Sequence, residues 1–203
     1  MNSKINSLKY KKTIIVLFFS IVVLVCTAFS TLSQRNTSME TISLEAHYIT
    51  YESAEELDKA DLILIGTPIA DFTEREHKTS YYSDGSLEDF YTLTEVKINK
   101  IIKSPKDFDL DDSNNLAIIE PVGIVEINGD KKITIDEYKE MEKGESYIIF
   151  LNKNVNGEYS VINNDFGKFR LDSDSSRMGK SLKQTSSATL KDEVMLKYRD
   201  FIE

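Results

Sequence analysis

Cysteine occurs once in 203 residues, at Cys26, and histidine twice, at His47 and His77. Without cysteine beyond that point, no disulfide braces the rest of the chain, and its fold must rest on an apolar core. A thiol nucleophile is excluded there for the same reason. The sequence has no Gly-x-Ser-x-Gly to present a serine, and neither histidine has a recognisable serine partner. Gly66-Thr67-Pro68 lacks the Gly-Lys-Ser/Thr of a phosphate loop and reads as a turn. Nucleophilic catalysis has no support.

Basic residues are unevenly spread. Lys4, Lys9, Lys11 and Lys12 precede an uncharged run over 13–34, with no acidic residue before Thr31. A basic segment followed by an apolar one is an export signal or a membrane anchor with its N-terminus inside. The most apolar part, 14–29, is long for a signal core and slightly short for a span of about 20 residues. The uncharged run continues to Gln34, which favours a retained single-pass anchor. Ala28-Phe29-Ser30 supplies small residues for cleavage after Ser30, which would release a secreted protein. Val25 is too bulky for a lipoprotein motif, so Cys26 reads as an apolar residue of the membrane segment. The remaining chain holds 21 basic against 34 acidic residues, a net charge of −13. Such a surface repels nucleic acid and anionic lipid, so neither is expected as a ligand. A cysteine-free exported part and a Lys-, Ile- and Asn-rich composition fit a bacterial cell surface.

The chain divides into a cytoplasmic basic region (1–12), an anchor or signal peptide (13–34), a polar spacer (35–52), a β domain (53–172), and a Ser-rich linker with a C-terminal helix (173–203). Ser53 and Glu56 make a capping box for a short helix over 54–59. The apolar run 62–65 suits a buried strand ending at Gly66. The polar stretch 73–89 shows no period, and Asp84-Gly85 marks a turn within it. In YTLTEVKINKIIK, Val96 and Ile98 alternate with polar residues, and the alternation slips at Ile101-Ile102, as at a bulge or a strand end. A third strand starts at 116–119 and stops at Pro121. YIIFL (147–151) is a strong buried strand, with shorter ones at 159–162 and 169–171. Leu190, Val194, Tyr198 and Phe201 share one helical face, which is read as packed on the domain.

The expected fold is mainly β: a small OB-like five-stranded barrel with a short N-terminal helix and a C-terminal helix, preceded by a membrane-spanning or signal helix. The succession ADLILIGT, YTLTEVKINKIIK, LAIIEPVG and YKEMEKGESYIIFL, with Gly144-Glu145-x-Tyr147-x-x-Phe150-Leu151 as its most suggestive part, is similar in layout to netrin-like and tissue-metalloproteinase-inhibitor-like (TIMP-like) domains, and to an exported bacterial module of the same layout. The resemblance spans about 54–171 and implies an OB-type barrel with helices at its ends. The animal members' disulfide cysteines and inhibitory N-terminal cysteine are absent here, so the resemblance implies no activity.

One stretch invites a metal. In EINGDKKITIDEY (126–138), Asn128, Asp130 and Glu137 fall at the third, fifth and twelfth positions of an EF-hand, and Ile133 at the eighth. Glu126 replaces the usual Asp, and Lys131 stands where the loop demands glycine. Pro121 and Gly123 deny it an entering helix, which an interior proline alone destabilises by about 3 kcal/mol. Asn128-Gly129 is instead a hairpin signal. A three-residue loop over 128–130 puts Val125, Ile127, Ile133 and Ile135 on one face and Glu126 opposite Lys132; a two-residue loop mixes the faces, and the register stays open. A short helix over 136–143 would follow. Glu74, Glu76 and His77 read as a solvated loop, as do Asp107, Asp109, Asp111 and Asp112. Tyr81, Tyr82 and Tyr91, near Phe90, suit either a binding face or packing at a barrel rim. No catalytic, cofactor or metal residue is assigned. The reading is a non-enzymatic extracytoplasmic module for a protein or cell-envelope ligand; the alternatives are a carboxylate-dependent metal enzyme drawing on Asp109, Asp112 and Glu137, or a weak calcium-responsive module.

Overall fold

The computed structural model describes residues 39–110, 113–171 and 186–202, with backbone alone for 186–189. The expected anchor or signal over 13–34 and most of the Ser-rich linker lie outside them. Among the described residues no helix is long and apolar enough to cross a membrane. Residues 40–203 group as one compact unit.

Among the described residues this unit holds ten strands and three α-helices. In chain order they are β1 (Thr41–Leu44), α1 (Ala54–Leu57), β2 (Leu62–Pro68), β3 (Glu76–Tyr81), β4 (Leu87–Lys103), β5 (Asn115–Glu120), β6 (Val122–Glu126), β7 (Asp130–Ile135), β8 (Tyr147–Lys153), β9 (Tyr159–Val161), β10 (Lys168–Arg170), α2 (Ser186–Lys197) and α3 (Arg199–Ile202). Five of them close a barrel in the order β2-β4-β5-β9-β8 and back to β2. All its pairings are antiparallel except β5 with β9. β10 continues from the first half of β8, and β3 extends from β4.

Why β2 and β8 are continuous apolar runs follows from a period of two with both faces covered. Leu62, Leu64, Ile149 and Leu151 point into the barrel with Val96, Ile118 and Val161. Ile63, Ile65, Ile148 and Phe150 point outward, where Leu57 of α1 and Val194 and Tyr198 at the C-terminus cover them. Each such side chain contributes about 1.5–3 kcal/mol on burial. Gly66 lies on β2 against β4; a Cβ there would meet Val96 Cγ1 at 2.3 Å. The slip at Ile101-Ile102 is a bulge, since Ile63 pairs Lys103 and Leu64 pairs Ile101. The Ser53 hydroxyl caps α1 at Glu56 N (3.2 Å), while the Glu56 carboxylate reaches back to Glu52 N rather than Ser53 N.

Four readings of the sequence need correction. The stretch 73–89 contains β3, whose residues are nearly all exposed, so an edge strand with two wet faces left no period to read. Within the expected spacer, Thr41–Leu44 adds β1 in parallel to β7, again with little burial. The hairpin forms with a three-residue loop, but over 127–129: Glu126 pairs Asp130 and Val125 pairs Lys131, so Glu126 does not face Lys132. Val125 and Ile133 are buried beside Phe90, while Ile127, at the tip, is 38% exposed. The expected helix over 136–143 is absent; Asp136 and Glu137 take left-handed φ of 46° and 59°, which no helix accepts.

Candidate functional site

The loop with EF-hand spacing is the tip and far end of a hairpin. Asn128 (φ 53°) and Gly129 (φ 101°) turn the chain, and the Ile127 N–H donates to the Gly129 carbonyl at 3.0 Å. Asp130 opens β7, whereas Glu137 lies beyond its last residue, so roughly 20 Å of extended chain separates them. Glu137 N donates to Ser43 Oγ, and Lys131, at the glycine position, pairs with Glu40 at 2.8 Å. Asp107 and Asp109 are exposed, and Asp111 and Asp112 lie outside the described residues. Among the described residues no three His, Cys, Asp or Glu gather as for a metal ion.

His77 is not a loop residue. It stands on β3 opposite Thr92, with Nδ1 2.8 Å from Thr92 Oγ1, Nε2 3.0 Å from the Phe72 carbonyl, and the Phe72 ring edge-on at 4.8 Å. Burial pushes its pKa down, the Phe72 carbonyl opposes this, and the Arg75 charge adds to the depression. Nε2 must carry the proton that the carbonyl accepts. Thr92 Oγ1 also lies 2.5 Å from the Val122 carbonyl, so its single proton has two neighbours to serve. Glu76 pairs with Lys78 and Glu74 with Lys143, and His47 is exposed in the coil after β1. Tyr81 and Tyr82 are half exposed, whereas Phe90 is buried with Val125 and Ile133.

At one end of the barrel a polar cluster fills the interior. On β4 the inward positions run Val96, Thr94, Thr92, and on β5 Ile118 is followed two residues later by Glu120, all fully buried. Glu120 Oε2 accepts from Arg75 Nη1 (2.8 Å) and from the Thr94 hydroxyl; Oε1 accepts from Tyr138 Oη (2.8 Å) and Met141 N (2.9 Å). Arg75 also donates to the carbonyls of Met141 and Ala70. Burial, then the Glu120 charge, drives the Tyr138 phenol well above its usual range, and Lys168 Nζ sits 4.2 Å from its ring centroid. Both carboxylate oxygens are engaged, so Glu120 offers no free acceptor and closes the barrel rather than serving chemistry. Sequence reasoning missed this cluster. Extending the inward parity of Ile118 by one step reaches Glu120, and that was the available signal.

A cavity of about 340 Å³ opens where the parallel seam of the barrel ends, past Pro121 and Val161. The coil after β1 covers it with Tyr48 and Ile49, which are 42% and 75% exposed. None of its lining residues is charged, which is unusual on a chain with a net charge of −9. Its floor includes Asn163 and Asn164, both buried and both left-handed. Asn163 is paired with the backbone of Tyr51 at Oδ1 (3.0 Å) and Nδ2 (2.8 Å). Asn164 Nδ2 donates to the Ile135 carbonyl at 3.1 Å and, at 3.3 Å, to Tyr48 Oη, while its buried Oδ1 has no partner. No family model matches the sequence, and a search of curated proteins finds no match.

Proposed function

We propose that this chain is a non-enzymatic binding module of a bacterial cell envelope, held at the membrane by its N-terminal segment, or secreted if cleaved after Ser30. Its barrel is of OB type, as in netrin-like and tissue-metalloproteinase-inhibitor-like domains. The ring order, with one parallel seam between the third and fifth barrel strands, supports that kinship. The carrying observation is the contrast at the end of β5: the buried Glu120 carboxylate is saturated by four donors, whereas the cavity beside Pro121 is uncharged and edged by exposed Tyr48 and Ile49. Concave, mostly apolar sites with a few polar groups bind ligands. The ligand, a protein or another envelope component, docks on this face. Immobilising residues 40–203 and exposing them to envelope extract tests the reading; a saturable retained component supports it, and none counts against it.

A further inference from the structure

We propose that the cavity between the 46–51 coil and the end of β9 holds a small uncharged molecule with an apolar body and one N–H or O–H donor, which bonds to Asn164 Oδ1. This rests on the reading of the chain as a binding module and narrows what that face holds.

Three observations select the ligand class. Tyr48, Ile49, Pro121, Ile135 and Ile162 make an apolar wall, and no charged residue lines the cavity to receive an ionised ligand. The orientation of the Asn164 carboxamide is fixed, because the Ile135 carbonyl can accept only from its nitrogen end. That leaves the oxygen to face a donor. Asn164 is 8% exposed, and its Oδ1 is closed to solvent and without a hydrogen-bond partner. The Tyr48 hydroxyl makes the longest of the carboxamide's contacts, and its ring is 42% exposed on a coil. A ligand enters as that ring swings aside, which gives up the 3.3 Å bond from Nδ2 to Tyr48 Oη, and its own donor bonds separately to Oδ1.

Indole is a suitable probe, because the chain has no tryptophan and indole emission reports the ligand alone. It is titrated into the full chain in nonionic detergent, with detergent as blank, beside N-methylindole, which has the same body without the donor. The expected result is a saturable blue shift with indole and binding about five-fold weaker with N-methylindole, the worth of one hydrogen bond. Asn164→Gly, which keeps the left-handed backbone, equalises the two; Ile49→Lys, at an exposed position, weakens both. Equal affinity for the two probes in the natural chain, or no saturable shift, overturns the proposal even if envelope extract yields a partner. If Asn164→Gly does not fold, the comparison of probes on the natural chain still decides.

Discussion

Arg75 Nη1 and Glu120 Oε2 lie 2.8 Å apart with side chains 1% and 0% exposed, a buried ion pair inside the mouth of the barrel. Removing one charge of such a pair strands the other in a low-dielectric interior. Glu120→Gln is expected to cost about 3–5 kcal/mol in chemical denaturation. Combined with Arg75→Met, the loss should fall short of the two single losses summed, by about 1–3 kcal/mol. Strict additivity would mean that the two groups do not act as a pair.

The environment of His77 gives a pH dependence of defined sign. Its folded pKa lies below the ordinary 6.5, so the unfolded chain takes up the proton first as pH falls. Stability therefore declines as pH drops below about 6.5 and levels off beneath the folded pKa. His77→Gln should lose less stability than the natural chain between pH 7 and pH 5, read from urea midpoints. An equal or larger loss in the variant excludes this role.

Two glycines separate crowding from backbone strain. A Cβ on Gly167 would lie 1.6 Å from the Ile162 carbonyl oxygen, so Gly167→Ala should cost more than about 3 kcal/mol or prevent folding. Gly85 has open space around it and φ +84°, so Gly85→Ala should cost only about 1–2 kcal/mol. Similar costs for both variants would contradict the packing at β10.

The C-terminal helix is fastened at Asp58. Burial works against ionisation of this carboxyl, but hydrogen bonds from Tyr198 (2.9 Å) and Lys197, with the charges of Lys197 and Lys103, outweigh it and lower the pKa. A carboxyl depressed in this way stabilises the fold above its ordinary 3.8, and that contribution is lost as pH falls through the lower folded value. Tyr198→Phe should cost about 1 kcal/mol and speed proteolysis within residues 186–202. Unchanged proteolysis would show that the apolar contacts of Leu190, Val194, Met195 and the ring at 198 hold the helix without this hydrogen bond.

Much of the barrel was legible because its strands obey simple periods. The runs at 62–65 and 147–151 are apolar on both faces, since one faces the interior and the other the helices. β1 and β3 were illegible because edge strands with wet faces carry no alternation. The hairpin at Asn128-Gly129 was visible, but its register depended on which β-branched residues find the small core around Phe90, a tertiary choice. Among the described residues no three carboxylates gather as for a metal ion, and the cavity is built from a coil, a proline and two left-handed asparagines that no motif announces.

The direct test of the binding reading is capture from envelope extract by immobilised residues 40–203, run in parallel with Ile49→Lys at the cavity rim and Val155→Lys at a fully exposed turn. The expected outcome is a saturable component held by the natural sequence and by Val155→Lys and lost with Ile49→Lys. Equal retention by all three, or none by any, would contradict a binding module that works through this face.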